Sequence, residues 1–195
     1  MSKLLGSILT FGAILASGSA LPSSEMDLLE SRATSSNYSL FAYGSSTDTE
    51  IGGFPIIYYD GLAYIADPAK VNQTMDYVVF KTNSTQLIAN PLTLSTATWS
   101  ESLFYITVGY GPTGFYKEGV SNISTSTIKT TGFKFYGTTA MINIDGTLET
   151  LWYAVATAVD GLWSVGWNAT GAGEDSAELL SLRKAAAPNV DYPSK

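Results

Sequence analysis

Two glutamates in strand-like contexts, Glu101 and Glu149, have the residue type and the surroundings for acid–base chemistry. Glu101 closely follows Trp99, and Glu149 closely precedes Trp152. Two carboxyl groups roughly 5 to 9 Å apart are sufficient for glycoside hydrolysis, and an apolar neighbourhood raises the pKa of the one that acts as the acid. The same residues also fit the outward polar positions of alternating strands. We favour this second interpretation, so catalysis by the pair is the weaker hypothesis.

The residue types that are missing exclude several other chemistries. The sequence contains no cysteine and no histidine, which excludes thiol nucleophiles, Ser-His-Asp relays and zinc sites built from those residues. The segment GYGPTG, residues 109–114, matches a glycine-rich dinucleotide motif, but it contains a proline, and no acid follows about 20 residues later. We therefore expect no cofactor and no metal.

The aromatic residues in and around this glycine-rich segment offer a candidate binding loop. Exposed rings are suited to stacking on sugars, so a polysaccharide is the expected class of ligand, with a host or cell-surface protein as the other candidate partner. An ordinary wide turn with partly buried rings explains the same residues and is favoured. The candidate ligand-binding residues are Trp99, Tyr110, Phe115, Tyr116 and Glu118.

Three tryptophans share one face of a predicted hairpin around Asp160-Gly161. The predicted register places Val159 opposite Leu162. Side chains alternate between the two faces of a strand pair, so one face then carries Trp152, Trp163 and Trp167. We expect this face to point into the core. The alternative is an exposed tryptophan platform, which would add Trp163 to the sugar site.

Asp-Gly pairs between apolar runs predict hairpins, because a type I′ turn needs positive φ at both central residues. They occur at Asp60-Gly61, Asp145-Gly146 and Asp160-Gly161. In the first hairpin the predicted register pairs Tyr59 with Leu62. From Tyr38 onward short β-branched and aromatic runs alternate with turn residues. The sequence therefore predicts an all-β fold, an antiparallel β-sandwich of jelly-roll or Greek-key type.

The charge balance bears on the partners. The chain carries 17 acidic and 10 basic residues, for a net charge of −7, and no basic cluster. Nucleic acid is therefore not an expected partner, and an anionic membrane surface is disfavoured. Neutral and cationic partners suit this charge better.

The first 20 residues, MSKLLGSILTFGAILASGSA, predict a secretory signal peptide. Their apolar stretch is shorter than the roughly 20 residues that span a bilayer, so no integral membrane association is expected. Residues 21–32 are interpreted as a pro-segment cut after Arg32 or as a flexible tail. Residues 33–195 are expected to form one domain.

Five N-glycosylation sequons follow the predicted signal peptide. Such a number in a chain directed to the secretory pathway favours a glycosylated extracellular protein. Each occupied asparagine must face solvent. The sequon asparagines are Asn37, Asn72, Asn83, Asn122 and Asn168.

Four segments together carry a resemblance to a known group of proteins. They are SNYSLFAYG, IGGFPIIYYDGLAYIADP, TTGFKFYGTTAMI and LWYAVATAVDGLWSVGWNAT. Their pattern of strands and hairpins, over residues 37–188, resembles small secreted proteins of filamentous ascomycete fungi. The resemblance implies an extracellular, often cysteine-free glycoprotein, and it implies no active-site residues.

These observations lead to one expected function and two alternatives. We expect a secreted, N-glycosylated, non-catalytic protein of the fungal cell wall or extracellular space, binding or effector-like in role. The first alternative is a lectin-like carbohydrate-binding module that uses the loop aromatics. The second is a glycoside hydrolase with Glu101 and Glu149 as its carboxylate pair. The oligomeric state is left open.

Overall fold

A computed structural model of the chain describes residues 37–45, 50–71, 75–93, 97–173 and 176–186. All of them belong to the unit Thr34–Lys195. The predicted signal peptide, the candidate pro-segment and the sequon at Asn72 lie outside the described residues.

Short runs of β-branched and aromatic residues form strands, as their composition favours. All the strand pairings of the described residues are antiparallel. A 3-10 helix covers Thr125–Thr127, and one helical turn, α1, covers Ala169–Ala172. The strands are β1 Phe41–Gly44, β2 Gly52–Tyr59, β3 Leu62–Ala66, β4 Asp76–Asn83, β5 Gln86–Pro91, β6 Ser102–Thr107, β7 Gly111–Pro112, β8 Gly114–Tyr116, β9 Ile128–Lys129, β10 Phe133–Tyr136, β11 Thr139–Ile144, β12 Thr147–Glu149, β13 Trp152–Ala156, β14 Leu162–Trp167 and β15 Glu178–Arg183.

The sheet closes on itself, so the predicted β-sandwich is wrong. Within the described residues, 10 strands form an antiparallel β-barrel with extra strands attached. Their order is β1, β2, β4, β5, β6, β8, β3, β14, β13 and β15, and β15 pairs again with β1. Phe41 of β1 thus faces Pro55 on one side and Arg183 on the other. Two stacked sheets would leave free edges, whereas this pairing removes them.

The first two Asp-Gly pairs form hairpins. Asp60 and Gly61 have φ values of 48° and 80°, as a type I′ turn requires, and Tyr59 faces Leu62 as predicted. Asp145 and Gly146 likewise have positive φ, and they join β11 to β12.

The third hairpin forms with a different register. Thr157, rather than Val159, lies opposite Leu162, because the Thr157 N–H donates to the Leu162 carbonyl at 3.0 Å. The Thr157 hydroxyl also accepts a hydrogen bond from the Val159 N–H, so a longer loop replaces the predicted two-residue turn. The predicted register is therefore wrong by two residues.

A shift of two residues leaves each side chain on the same face of the sheet. Trp152, Trp163 and Trp167 are accordingly buried in the main core, which confirms the core prediction for this face. Phe104 contacts Trp152 and Phe80 there, with ring centroids 6.0 and 5.5 Å away. Trp163 is 8% exposed, so the platform alternative does not apply to it.

Extra strands attach outside the barrel ring. β9 pairs with the end of β6, and β7 pairs with β14. β11 joins β15 through Thr139 and carries β10 and β12 on its two sides. β9 and β12 both contribute residues to the lining of one cleft.

Candidate binding cleft

The aromatic residues predicted to bind sugars are largely engaged within the protein. The Trp99 ring stacks on Tyr58 with centroids 4.2 Å apart, and its Nε1 donates to Asp76 Oδ2 at 2.7 Å. Phe115 is 3% exposed and belongs to the core. These two residues lie close together, with ring centroids 5.6 Å apart. Phe115 has almost no surface open to a ligand, and Trp99 is half-buried.

The remaining members of the predicted loop do not gather with them. Half-buried Tyr116 faces Leu103 near the beginning of β6, and Glu118 is exposed in the turn after β8. Tyr110 is 55% exposed and follows the other end of β6. The five predicted ligand-binding residues thus form no single surface.

The two candidate catalytic glutamates are also separated. Glu101 is exposed, and its N–H donates to the Asn90 side chain just before β6 begins. Glu149 lines a cleft that includes Ile106, near the far end of β6. The stretch from residue 101 to residue 106 spans about 16 Å at the rise of an extended strand. The carboxyl groups therefore do not face one common cleft.

The cleft beside β9 and β12, named here the β9–β12 cleft, has a volume of about 410 Å³. It lies between β6, β9, β14, the β11–β12 turn and the connection after β6. Clefts of about 300 to 1,000 Å³ with mainly apolar walls are typical of small-molecule sites. Its apolar lining consists of Ile106, Val108, Ile128, Ile144, Leu151 and Trp167.

The apolar lining has a buried part and an exposed part. Ile106, Ile128 and Trp167 are each no more than 8% exposed. In contrast, Val108 is 57% exposed and Leu151 is 40% exposed. Apolar side chains therefore continue from the core to the solvent at this place, which is where a ligand gains most from leaving water.

Charged side chains complete the lining of the cleft. Asp145 belongs to the β11–β12 turn, Glu149 is half-buried in β12, and Lys129 belongs to β9. Within the described part of the chain, these three side chains make no hydrogen bond and no ion pair with one another or with other residues. Their charges are thus open to a ligand.

Asn168 joins two parts of the cleft wall, Gly109 and Leu151, to α1. Its Nδ2 donates to the Gly109 carbonyl at 3.0 Å, and its Oδ1 accepts from the Gly171 N–H at 3.2 Å. Its own N–H donates to the Leu151 carbonyl. A φ of 59° is a conformation that Asn tolerates better than most residues. This asparagine therefore positions the loop after β6 against α1.

The sequence identifies Asn168 only as a sequon, and it does not predict the cleft. Asparagine before a short helical turn is a capping signal, and it was the one local clue. No local pattern predicts the aliphatic lining. β9 pairs with β6 between Ile106 and Lys129, which are far apart in the sequence and are not joined by a recognisable turn. Three other sequon asparagines, Asn37, Asn83 and Asn122, are exposed.

Comparison with protein-family models, with curated proteins and with solved structures gives no match for this chain. Among the described residues, no helix has the length and apolar character needed to cross a membrane. A functional assignment therefore depends on the geometry of the cleft.

Proposed function

We propose that this chain is a non-catalytic binding protein that holds a small, mainly apolar ligand in the β9–β12 cleft. The observation that carries the proposal is the continuous apolar surface from buried Ile106 and Trp167 to exposed Leu151. The candidate catalytic glutamates are apart, and the candidate sugar-binding rings are mostly packed, so binding in this cleft is better supported than either alternative.

The place of action is the extracellular space or the fungal cell wall. Support comes from the signal-like composition of residues 1–20 and from the resemblance to secreted fungal proteins. The exposure of Asn37, Asn83 and Asn122 is compatible with glycans at these positions. Release by an amidase specific for N-glycans, followed by mass spectrometry of protein from a fungal host, tests this part; an unchanged mass contradicts it.

A titration of the purified protein with 1-octanol, followed by tryptophan fluorescence and by calorimetry, tests the proposed site. Two leucines of β12 and its flank make a matched pair. Leu151 lines the cleft, whereas Leu148 does not, although the two are 40% and 42% exposed. We expect Leu151→Glu to weaken 1-octanol binding at least tenfold and Leu148→Glu to leave it unchanged.

Two outcomes contradict the proposed function. The first is the absence of saturable 1-octanol binding to the unmodified protein. The second is equal weakening by both leucine variants, which would place the bound alcohol outside the cleft.

A further inference from the structure

The charges of the β9–β12 cleft indicate more than an apolar ligand. The lining contains two carboxylates, those of Asp145 and Glu149, and one ammonium group, that of Lys129. None of the three is neutralised by a hydrogen bond or ion pair within the described residues. The lining therefore has an excess of negative charge beside an apolar surface.

Both carboxylates are carried by ordered backbone. Asp145 sits in the type I′ turn with φ of 49°, and the Asn143 side chain fixes that turn by accepting from the Gly146 N–H at 2.9 Å. Glu149 faces Ile142 in the β11–β12 pairing. A charged ligand group would thus meet carboxylates whose backbone is already ordered before binding.

The lysine stem reaches towards β11. Lys129 belongs to β9, and its Cε runs close to Gly132, 3.2 Å from the position that a Cβ there would take. The Asn143 carbonyl oxygen lies 3.0 Å from the same position, so the stem runs beside β11. The ammonium nitrogen of Lys129 is nevertheless more than 4 Å from the carboxylate oxygens of Asp145 and Glu149. Lys129 therefore forms no ion pair with either carboxylate, and two negative charges stand beside one positive charge in the lining.

A metal ion does not satisfy these carboxylates. Calcium needs about six to eight oxygen ligands, and the described residues contain no group of three or more acidic, histidine or cysteine side chains that could hold a metal. The net charge of −7 adds a field that attracts organic cations and repels anions.

We propose that the ligand of the β9–β12 cleft is a cationic amphiphile, an apolar body with an ammonium group that contacts Asp145 and Glu149. This inference rests on the proposed function, since the apolar body occupies the lining described above. It adds the charge of the ligand and the two residues that recognise this charge, Asp145 and Glu149.

Three probes with the same alkyl chain test the inference: n-octylammonium, 1-octanol and octanoate, titrated below their micelle concentrations at neutral pH. We expect n-octylammonium to bind about tenfold more tightly than 1-octanol, which corresponds to about 1.4 kcal/mol. Octanoate should bind more weakly than the alcohol. The preference for the cation should shrink in molar salt, where the screening length falls to about 3 Å.

Neutral isosteres of the two acids give the residue-level test. Glu149→Gln and Asp145→Asn each remove one charge, and Asn-Gly still suits a type I′ turn. Each variant should lower the affinity for n-octylammonium about threefold to tenfold, and by a larger factor than it lowers the affinity for 1-octanol. The control is Glu118→Gln, which removes an exposed acid outside the cleft and should have little effect.

The possible results separate the two proposals. If 1-octanol binds but n-octylammonium has no advantage, or if Glu118→Gln acts as strongly as Glu149→Gln, the cationic ligand is refuted and the apolar site stands. If 1-octanol does not bind, the proposed function itself fails.

Discussion

The ring of Tyr153 lies over Gly166, its cross-strand partner in the β13–β14 pair. A Cβ on Gly166 would overlap the Tyr153 ring atoms. The glycine is therefore required for a steric reason, because the aromatic ring occupies the space that any other side chain needs. This packing closes one strand pair of the barrel.

We expect Gly166→Ala to destabilise the protein by about 1 to 3 kcal/mol, the usual cost of overpacking a filled site. Urea unfolding followed by tryptophan fluorescence measures the effect. Gly52→Ala is the matched control, since a Cβ at Gly52 meets nothing within 4 Å. Equal unfolding midpoints for the two variants would show that the Tyr153 ring moves aside at no cost.

Tyr38 makes the free energy of unfolding depend on pH in the alkaline range. Burial raises the pKa of Tyr38 to about 12, partly opposed by its hydrogen bond with Thr82. In the unfolded chain a tyrosine ionises near pH 10, so the unfolded state releases its proton first. The contribution of Tyr38 to stability is therefore complete below about pH 10 and is lost as the pH rises towards 12.

Tyr38→Phe should remove part of this alkaline loss, which urea unfolding across the range measures. Part of the alkaline loss of stability should remain in this variant, because burial also raises the pKa values of Tyr77 and Tyr105. Lys184 Nζ lies 3.9 Å from the Tyr38 ring centroid, and burial lowers the pKa of Lys184. Just below the usual lysine pKa this makes the protein more stable as the pH rises, which opposes the loss of stability caused by the tyrosines. Tyr136→Phe alters an exposed ring and should leave the alkaline loss intact.

At the scale of elements, Asn168 connects α1, the loop after β6 and the residue before β13. Asn168→Ala removes both side-chain hydrogen bonds and places alanine at a φ of 59°. We expect it to lower the free energy of unfolding by about 1 to 2 kcal/mol and to weaken 1-octanol binding. Thermal unfolding of protein from a host that does not glycosylate measures the first effect.

A second asparagine separates local structure from the mere loss of a sequon. Asn122 is exposed, so Asn122→Ala removes a sequon without touching the cleft and should leave both stability and binding unchanged. Asn168→Gly keeps the backbone conformation and should be less harmful than Asn168→Ala. If Asn168→Ala behaves like Asn122→Ala, the asparagine does not hold the cleft wall.

The same elements explain which features the sequence could predict. Asp60-Gly61 determined its hairpin and register because the information is local to the turn. The same dipeptide at Asp160-Gly161 predicts the wrong register, because the side chain of Thr157, three residues before Asp160, hydrogen-bonds to the loop backbone. The β9–β12 cleft depends on pairings between distant segments, which no local pattern encodes.

At the scale of the whole molecule, the error between sandwich and barrel has one physical cause. Alternating apolar and polar residues fit either architecture equally, since both have one buried face. The deciding contact is the pairing of Phe41 with Arg183, which joins the first and last described strands. Nothing in the composition of either strand specifies that partner.

This closing pair also sets an order of events during synthesis. β15 completes the ring by pairing with β13 through Leu179 and with β1 through Leu182. Until residue 183 has emerged from the ribosome, β1 and β13 each keep one edge of unpaired backbone. Contacts that span so much of a chain form slowly, so these two edges stay open to pairing with other chains until β15 is available.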